Sequence, residues 1–340
     1  LLDAFWPAKQ TNQKKAAIIL LHGGGWRSGN REQHHALAQQ LAALGYVCFT
    51  PEYRLSTEAL YPAALHDAKA AVRWVRQQAA TYNIDTNKIA IGGFSAGGIL
   101  ATLLGTTNGQ KGFETFLCNT KASSKANAII NLDGALSFVH EESGEGDDSK
   151  KTSSATYWFG FSKKENEDLW RRASPLTHVG PQTPPILFVN SSVARMHAGR
   201  NDFIHVLNGY RIYNEVQTIT GAPHSFPLFH PWFDSTVRYI HQFMQRVFVT
   251  TKNTPAVLIT VAKDGTGDYK KVQEAFDAIP SNNKKSYHIF IRNGLYKEKL
   301  YLDSSKTNIT ITGEDKFRTI LTYDDHSGKI APNGDKINTF

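Results

Sequence analysis

Five residues, Gly93-Phe94-Ser95-Ala96-Gly97, constrain this chain more than any other stretch. The apolar run Lys88-Ile-Ala-Ile-Gly-Gly before them has the composition of a strand, and Gly98-Ile-Leu-Ala-Thr-Leu-Leu-Gly after them that of a helix. A G-x-S-x-G between strand and helix is the context of a nucleophile elbow, a turn so tight that the Ser hydroxyl stands free at the top of a sheet. The outer glycines are what permit the turn. On its own the pattern also fits a plain strand-to-helix connection. A second element at the end of another apolar run, Leu21-His-Gly-Gly-Gly-Trp26, moves the reading toward hydrolysis through Ser95.

At 340 residues the chain exceeds one average domain and can hold one large domain or two. Hydrophobic residues at 41% and charged residues at 20% supply ample core for a globular protein. No apolar run approaches the roughly 20 residues that cross a bilayer, so no membrane span is expected. The N-terminus, Leu1-Leu-Asp-Ala-Phe-Trp-Pro, shows neither an initiating Met nor a basic segment followed by a long apolar one. The sequence is therefore expected to be trimmed or fragmentary. Cys48 lies in a strand-like run and reads as a small core residue; with Cys118 it supports neither a metal site nor a disulfide scaffold. The formal charge of +8 favours an acidic partner. Nucleic acid is not expected, because no arginine-rich helix or aromatic-plus-basic signature is present; an anionic polysaccharide suits the charge.

Up to residue 248, strand-like and helix-like segments alternate, the pattern of a mostly parallel sheet flanked by helices. Strands are expected at 16–21, 46–50, 88–93, 126–132, 185–190 and 215–220. Helices are expected at 30–45, with Asn30 as cap and Gly45 as stop, at 62–80 and at 233–249. The stretch 138–179 is looser, polar at first and then aromatic in Tyr157-Trp-Phe-Gly-Phe. It reads either as a lid over the site or as a surface excursion whose aromatics dock on the core. Residues 249–256, polar and ending near Pro255, read as a linker. From 257 to 340 the texture becomes short and β-branched, with one helical stretch at 272–278, and marks a second, β-rich unit.

Acyl transfer needs a nucleophile, a base oriented by an acid, and donors aimed at the developing oxyanion. His224 follows the last strand of the first unit and precedes its last helix, the position of the base in a Ser, acid, His order. The runs His22-Gly-Gly-Gly-Trp26, Tyr53-Arg-Leu-Ser56, Tyr61-Pro-Ala-Ala-Leu-His-Asp67-Ala, Gly93-Phe-Ser-Ala-Gly97 and Pro223-His224 resemble the α/β-hydrolase esterases of the hormone-sensitive-lipase and acetyl-xylan/feruloyl-esterase type. The resemblance covers residues 1–248. It implies an oxyanion hole from the N–H groups of Gly24, Gly25 and Ala96, with glycine needed because a Cβ would obstruct the acyl group, and His22 and Trp26 as supports of the loop. It also places an acid shortly after the strand before the base, where Ala194 cannot serve. Asp202, in His197-Ala-Gly-Arg-Asn-Asp202, comes late, and its ordinary reading is a carboxylate at a helix N-terminus. Asp133, at the end of the preceding strand, is favoured over it; a Ser–His dyad is the third alternative. Trp26, Trp158 and Trp232 are candidate substrate-facing aromatics, with core packing as the alternative.

The tail run Val261-Ala-Lys-Asp-Gly-Thr-Gly-Asp-Tyr-Lys-Lys-Val-Gln-Glu-Ala-Phe-Asp-Ala-Ile-Pro280, continued by Ile291-Arg-Asn-Gly-Leu-Tyr and Asn308-Ile-Thr-Ile-Thr-Gly313, resembles the start of pectin methylesterases. It implies a partial right-handed parallel β-helix that stops before that family's catalytic residues, and so no demethylating activity by itself. Together the two resemblances imply a carbohydrate esterase that removes acetyl groups from pectin without metal or organic cofactor. The substrate class in turn implies a secreted or periplasmic location. Acetyl-xylan or feruloyl esterase action, a pectin-binding protein with an adhesive tail, and a peptidase are the alternatives.

Overall fold

The apolar runs become the interior strands of a seven-stranded sheet: β1 (Leu2–Phe5), β2 (Lys15–Leu21), β3 (Val47–Pro51), β4 (Ile84–Phe94), β5 (Ala128–Leu132), β6 (Ile186–Asn190) and β7 (Asn214–Thr218). Their order is β1-β3-β2-β4-β5-β6-β7, all parallel except the edge strand β1, which runs antiparallel to β3. The computed structural model describes residues 1–8, 12–114, 122–248, 257–315 and 317–324. The expected linker 249–256, Cys118 and the last residues of the expected second unit, 325–340, lie outside them. The chain divides into two compact units, Leu1–Thr251 and Lys252–Phe340.

Successive side chains of a strand point to opposite faces, and both faces of this sheet are covered. Ile19, Leu21, Phe49, Ile91, Ile129 and Phe188 face α2 (Ala63–Gln77), α3 (Ala96–Thr106) and α6 (Arg200–Gly209). Ile18, Leu20, Cys48, Ala90, Ile130 and Leu187 face α1 (His35–Ala43) and α7 (Trp232–Phe248). Helix α3 follows Ser95 and is buried along its whole length. Its threonines return their hydroxyls to the helix itself: Thr102 Oγ1 donates to Gly98 O at 2.8 Å, and Thr106 Oγ1 to Thr102 O at 3.0 Å.

Three departures from the sequence reading have local causes. The helix expected from Asn30 begins as a 3-10 turn, Arg31–His34, capped by Asn30, and only then becomes α1. His34 is drawn into the core, where its Nε2 meets Leu21 O at 3.2 Å, and this breaks the regular α geometry. Strand β4 starts at Ile84, because Lys15 pairs with Ile84 before a bulge, although Asp85-Thr-Asn87 is polar. Strand β1 was not foreseen; as a half-buried edge it carries no continuous apolar run.

Within 138–179 two short helices form, α4 (Ser154–Phe159) and α5 (Glu167–Arg172). Trp158, Phe159 and Trp170 are buried against Phe138 and dock on the core, while Tyr157 and Phe161 of the same excursion stay exposed. Among the described residues no helix is long and apolar enough to cross a membrane.

The second unit holds β8 (Val257–Val261), α8 (Val272–Asp277), β9 (Tyr287–Ile291), β10 (Gly294–Lys297), β11 (Ile309–Gly313) and β12 (Thr319–Thr322). They form two parallel sheets, β11-β9-β8 and β10-β12, around Ile259, Val261, Phe276, Ile289, Ile291 and Tyr296.

Close backbone approach explains the elbow's glycines. A Cβ on Gly97 would stand 2.2 Å from Leu21 O, and one on Gly93 would stand 2.3 Å from Gly97 O. All six tryptophans lie in the first unit, so tryptophan fluorescence reports its unfolding alone. Gly97→Ala should destabilise that unit by about 1–3 kcal/mol in denaturant titrations. Gly112→Ala, where a Cβ meets nothing within 4 Å, should leave the midpoint unchanged.

Candidate active site

Strand β4 ends at Phe94, α3 begins at Ala96, and Ser95 between them takes φ 54° and ψ −119°. A non-glycine residue there is strained, and its surroundings hold it: Ser95 N donates to Leu132 O at 2.8 Å, and Ile99 N to Ser95 O at 3.0 Å. The side chain is thereby lifted clear of both strand and helix.

Asp133 follows β5 in a turn that is also left-handed, with φ 54°. Asn131 clamps it. Its Oδ1 accepts from Gly134 N at 2.8 Å, while its Nδ2 donates to Gly134 O at 2.9 Å and Thr102 Oγ1 at 2.8 Å. Gly134 lies so close to α3 that a Cβ would come within 2.7 Å of Gly98 C and Ile99 N. The third residue, His224, sits in the loop after β7, which is tied to the loop after β6 by Gly221 N donating to Ser192 Oγ at 2.7 Å and Ser192 N to Ala222 O at 3.0 Å.

The structure brings Ser95, His224 and Asp133 into one hydrogen-bonded row. His224 Nε2 is 2.9 Å from Ser95 Oγ, and His224 Nδ1 is 2.8 Å from Asp133 Oδ2. A carboxylate facing Nδ1 selects the tautomer with its proton there, leaving Nε2 to accept from the hydroxyl. Asp133 is fully buried. Burial pushes its carboxyl up, but His197, His224 and Ser191 outweigh that and hold it down at about 2. Ser191 N donates to Oδ1 at 2.8 Å, and His197 Nε2 lies 3.5 Å from the same oxygen. Such an environment keeps the acid ionised through the neutral range.

Asp202, the alternative acid, is not brought to His224. It lies in the first turn of α6, two-thirds exposed, 3.3 Å from His140 Nε2. The chain between the end of β6 and Asp202 is too long to place that carboxylate at the strand end, and it serves the helix N-terminus instead.

The glycine loop after β2 takes positive φ at Gly24 (114°), Gly25 (60°) and Trp26 (58°). Arg27 N and Ser28 N both donate to Gly24 O at 3.1 Å, Gly23 N donates to Gln33 Oε1 at 2.6 Å, and Tyr53 OH to His22 O at 2.9 Å. The His22 ring stacks on Tyr53 at 4.1 Å. No acceptor among the described residues takes the N–H groups of Gly24, Gly25 or Ala96. The need for glycine differs from that expected: a Cβ at Gly24 would stand 2.2 Å from Ser28 O, and one at Gly25 2.7 Å from Ser154 Oγ. Closure of the loop on itself and on α4 already excludes larger residues.

Two of the candidate substrate-facing aromatics take the core-packing alternative. Trp26 and Trp158 stack on each other at 4.3 Å, and both are buried. Their apolar area and the adjacent Phe138 and Tyr61 make them part of the core beneath the loop. Trp232 opens α7 and packs, half-buried, against the core on the α7 face. Three neighbours of the acid were given no role from sequence: Asn131, Ser191 and His197. Only the first left a signal, the Asn-Leu-Asp-Gly turn spacing. Among the described residues, no group of three or more His, Cys, Asp or Glu side chains is arranged to hold a metal ion.

The family model described as BD-FAE matches residues 2–195, more than half of the chain. The chain belongs to the BD-FAE family. This is an α/β-hydrolase esterase family, and the BD-FAE match includes Gly24, Gly25, Ser95 and Asp133, whereas His224 lies beyond its end. The model described as Pectinesterase matches residues 258–335, so a pectinesterase-family segment follows the BD-FAE part.

The BD-FAE chain is 28% identical over 267 residues to the probable carboxylic ester hydrolase LipM of Mycobacterium tuberculosis, covering 71% of this chain and 58% of that protein. Esterase LipC of the same organism is 28% identical over 202 residues, covering 56% and 47%. The chain thus spans about half the length of these curated relatives. A Petunia integrifolia pectinesterase is 44% identical over 63 residues, 18% of this chain and 17% of that protein. Among solved structures, the propionate-bound esterase Est2 of Thermogutta terrifontis aligns with TM-score 0.59 and 25% identity, covering 74% of this chain and 91% of that one. A truncated carbohydrate esterase from gut microbiota shares the fold, with TM-score 0.61 at 24% identity over 72% of this chain and 90% of its own.

The depressed Asp133 carboxyl links the site to stability. A carboxyl whose folded value lies below its unfolded one near 3.8 contributes fully above about pH 4, and the contribution is lost as pH falls toward 2. Denaturant titrations followed by tryptophan fluorescence should show the wild type losing about 2 kcal/mol through this group over that window. Asp133→Asn should lack this component of the slope.

Proposed function

We propose that this chain is a serine carboxylic-ester hydrolase acting on esterified plant cell-wall polysaccharide, with acetylated pectin as its substrate. The observation that carries the chemistry is the row Ser95 Oγ, His224, Asp133, with 2.9 and 2.8 Å contacts, beside the N–H groups of Gly24, Gly25 and Ala96, which have no acceptor among the described residues. In this reading His224 Nε2 takes the Ser95 proton as Oγ attacks the ester carbonyl, and Asp133 stabilises the imidazolium. The N–H groups of Gly24, Gly25 and Ala96 take the developing oxyanion. As the C–O bond to the sugar breaks, His224 gives its proton to the leaving sugar oxygen, which departs as a hydroxyl, and water, activated by the same imidazole, releases the acyl group as acetate.

The substrate reading is supported by the pectinesterase-family segment and by the net charge of +8, which suits an anionic polyuronate. It is also in keeping with a structural neighbour titled a carbohydrate esterase. The second unit, with its parallel strands, is read as coils of a right-handed parallel β-helix. In this reading the substrate class supports a secreted or periplasmic location. No cofactor enters the proposed steps.

Acetate release from acetylated pectin, acetylated xylan and feruloylated arabinoxylan, with ferulate measured alongside, tests the reading. Pectin should be the preferred substrate. Ser95→Ala should abolish turnover with unfolding unchanged, and Asp133→Asn should lower kcat by about 10³–10⁴. Asp202→Asn should stay within about twofold, the range of a surface change. Retention of activity by Ser95→Ala would overturn the chemistry; preference for xylan or ferulate would overturn only the substrate.

A further inference from the structure

The loop after β6 does not carry the acid, yet it encloses it. Asp133 Oδ2 faces His224, and Oδ1 is surrounded by three groups from this loop or the strand end before it. They are Ser191 N at 2.8 Å, Asn190 Nδ2 at 3.5 Å and His197 Nε2 at 3.5 Å. His197 Nε2 is sealed from solvent and has no hydrogen-bond partner of its own, so its one polar neighbour within ion-pair reach is this carboxylate. Asn190 is held from behind, its Oδ1 accepting from Arg200 Nη1 at 2.6 Å, which turns its amide toward Asp133.

His197 and Arg200 flank a left-handed turn at Gly199 (φ 74°). The turn is fastened to the segment after β5. Gly199 N donates to Glu142 Oε2 at 3.2 Å, and Ala198 O accepts from Leu136 N at 2.9 Å. His140, which contacts both Glu142 and Asp202, closes the arrangement on the outside. The run His197-Ala-Gly-Arg-Asn-Asp202 is therefore built around the carboxylate at its first residue as well as on the helix at its last.

We propose that His197 is a positioning residue for the Asp133–His224 pair, an inference that rests on the serine-hydrolase reading above. Rotation about the side-chain torsions of Asp133 would let its carboxylate turn away from the imidazole, and the backbone does not prevent it. With its proton on Nε2, the His197 ring sets an N–H dipole against Oδ1 and excludes water there. The carboxylate charge stays unscreened, and Oδ2 stays in line with His224 Nδ1. The ring touches neither substrate nor Ser95; it acts through Asp133.

The test uses the full chain with p-nitrophenyl acetate. Its readouts are kcat, KM, tryptophan-monitored unfolding and the far-downfield proton resonance of the Asp133–His224 hydrogen bond. His197→Leu should lower kcat about 10- to 100-fold, as misplacement of a catalytic group does, with KM within about twofold, and should shift or broaden that resonance. His197→Gln, which can still present an amide N–H to Oδ1, should recover kcat to within about threefold of wild type. Equal kcat for Leu, Gln and wild type, or a loss with the resonance unmoved, would overturn the proposal. Should the Leu variant fail to fold, His197→Asn takes its place, its amide too short to reach Oδ1, with the same expectations. Ser95→Ala run in parallel separates the two levels. If it retains turnover the underlying chemistry fails, whereas an inactive Ser95→Ala beside unaffected His197 variants sinks the positioning role alone.

Discussion

Parallel pairing aligns Phe94 with Leu132 and Leu132 with Val189, so β4, β5 and β6 finish at one level of the sheet. Ser95, Asp133 and Asn190 leave the strands at or beside that level. The bonds from Ser95 N to Leu132 O and from Asp133 N to Val189 O continue the ladder into the turns themselves. The arrangement of the candidate site follows from this register. A slip of one residue would exchange the two faces of a strand and send the Asp133 carboxylate away from His224.

Backbone strain is found at the same level. Ser95, Asp133 and Trp26 are non-glycine residues with positive φ, and Gly24 and Gly25 share that region. Each of the three non-glycine residues costs roughly 1–3 kcal/mol, and each is held by packing around it. Trp26 is stacked on Trp158, Asp133 is clamped through Asn131, and Ser95 is pinned between a strand end and a buried helix. The aromatic cluster of residues 138–170 therefore serves the site from below, as the bed on which the glycine loop lies.

What the sequence made legible was local. The elbow and the glycine loop declare themselves because their chemistry is compressed into a few consecutive residues, and His224 is placed by its position between the last strand and helix. The choice between Asp133 and Asp202 stayed open because it depends on where two strands end relative to each other, which no run of residues records. Asp202 stands in a polar motif whose first member, His197, is the one that reaches the acid. Trp26 and Trp158 stayed open for a different reason: an aromatic beside a motif looks the same in sequence whether it faces solvent or a neighbouring ring. Strand β1 was hidden by half-burial at a sheet edge, and the start of β4 by the polar residues Asp85-Thr-Asn87 at its N-terminal end.

Helix α3 has no solvent-facing side: all of Ala96–Thr106 is buried, and its hydroxyls are spent on its own carbonyls. Most helices can fray at one end while the rest of a protein stays folded, but here the first turn is wedged between Leu21, Gly93 and Gly134. Amide protons in this helix should then open only with the unit as a whole. The Ser95 elbow accordingly has no partly disordered intermediate to visit. Its geometry and the fold of the first unit persist, or are lost, as one cooperative event.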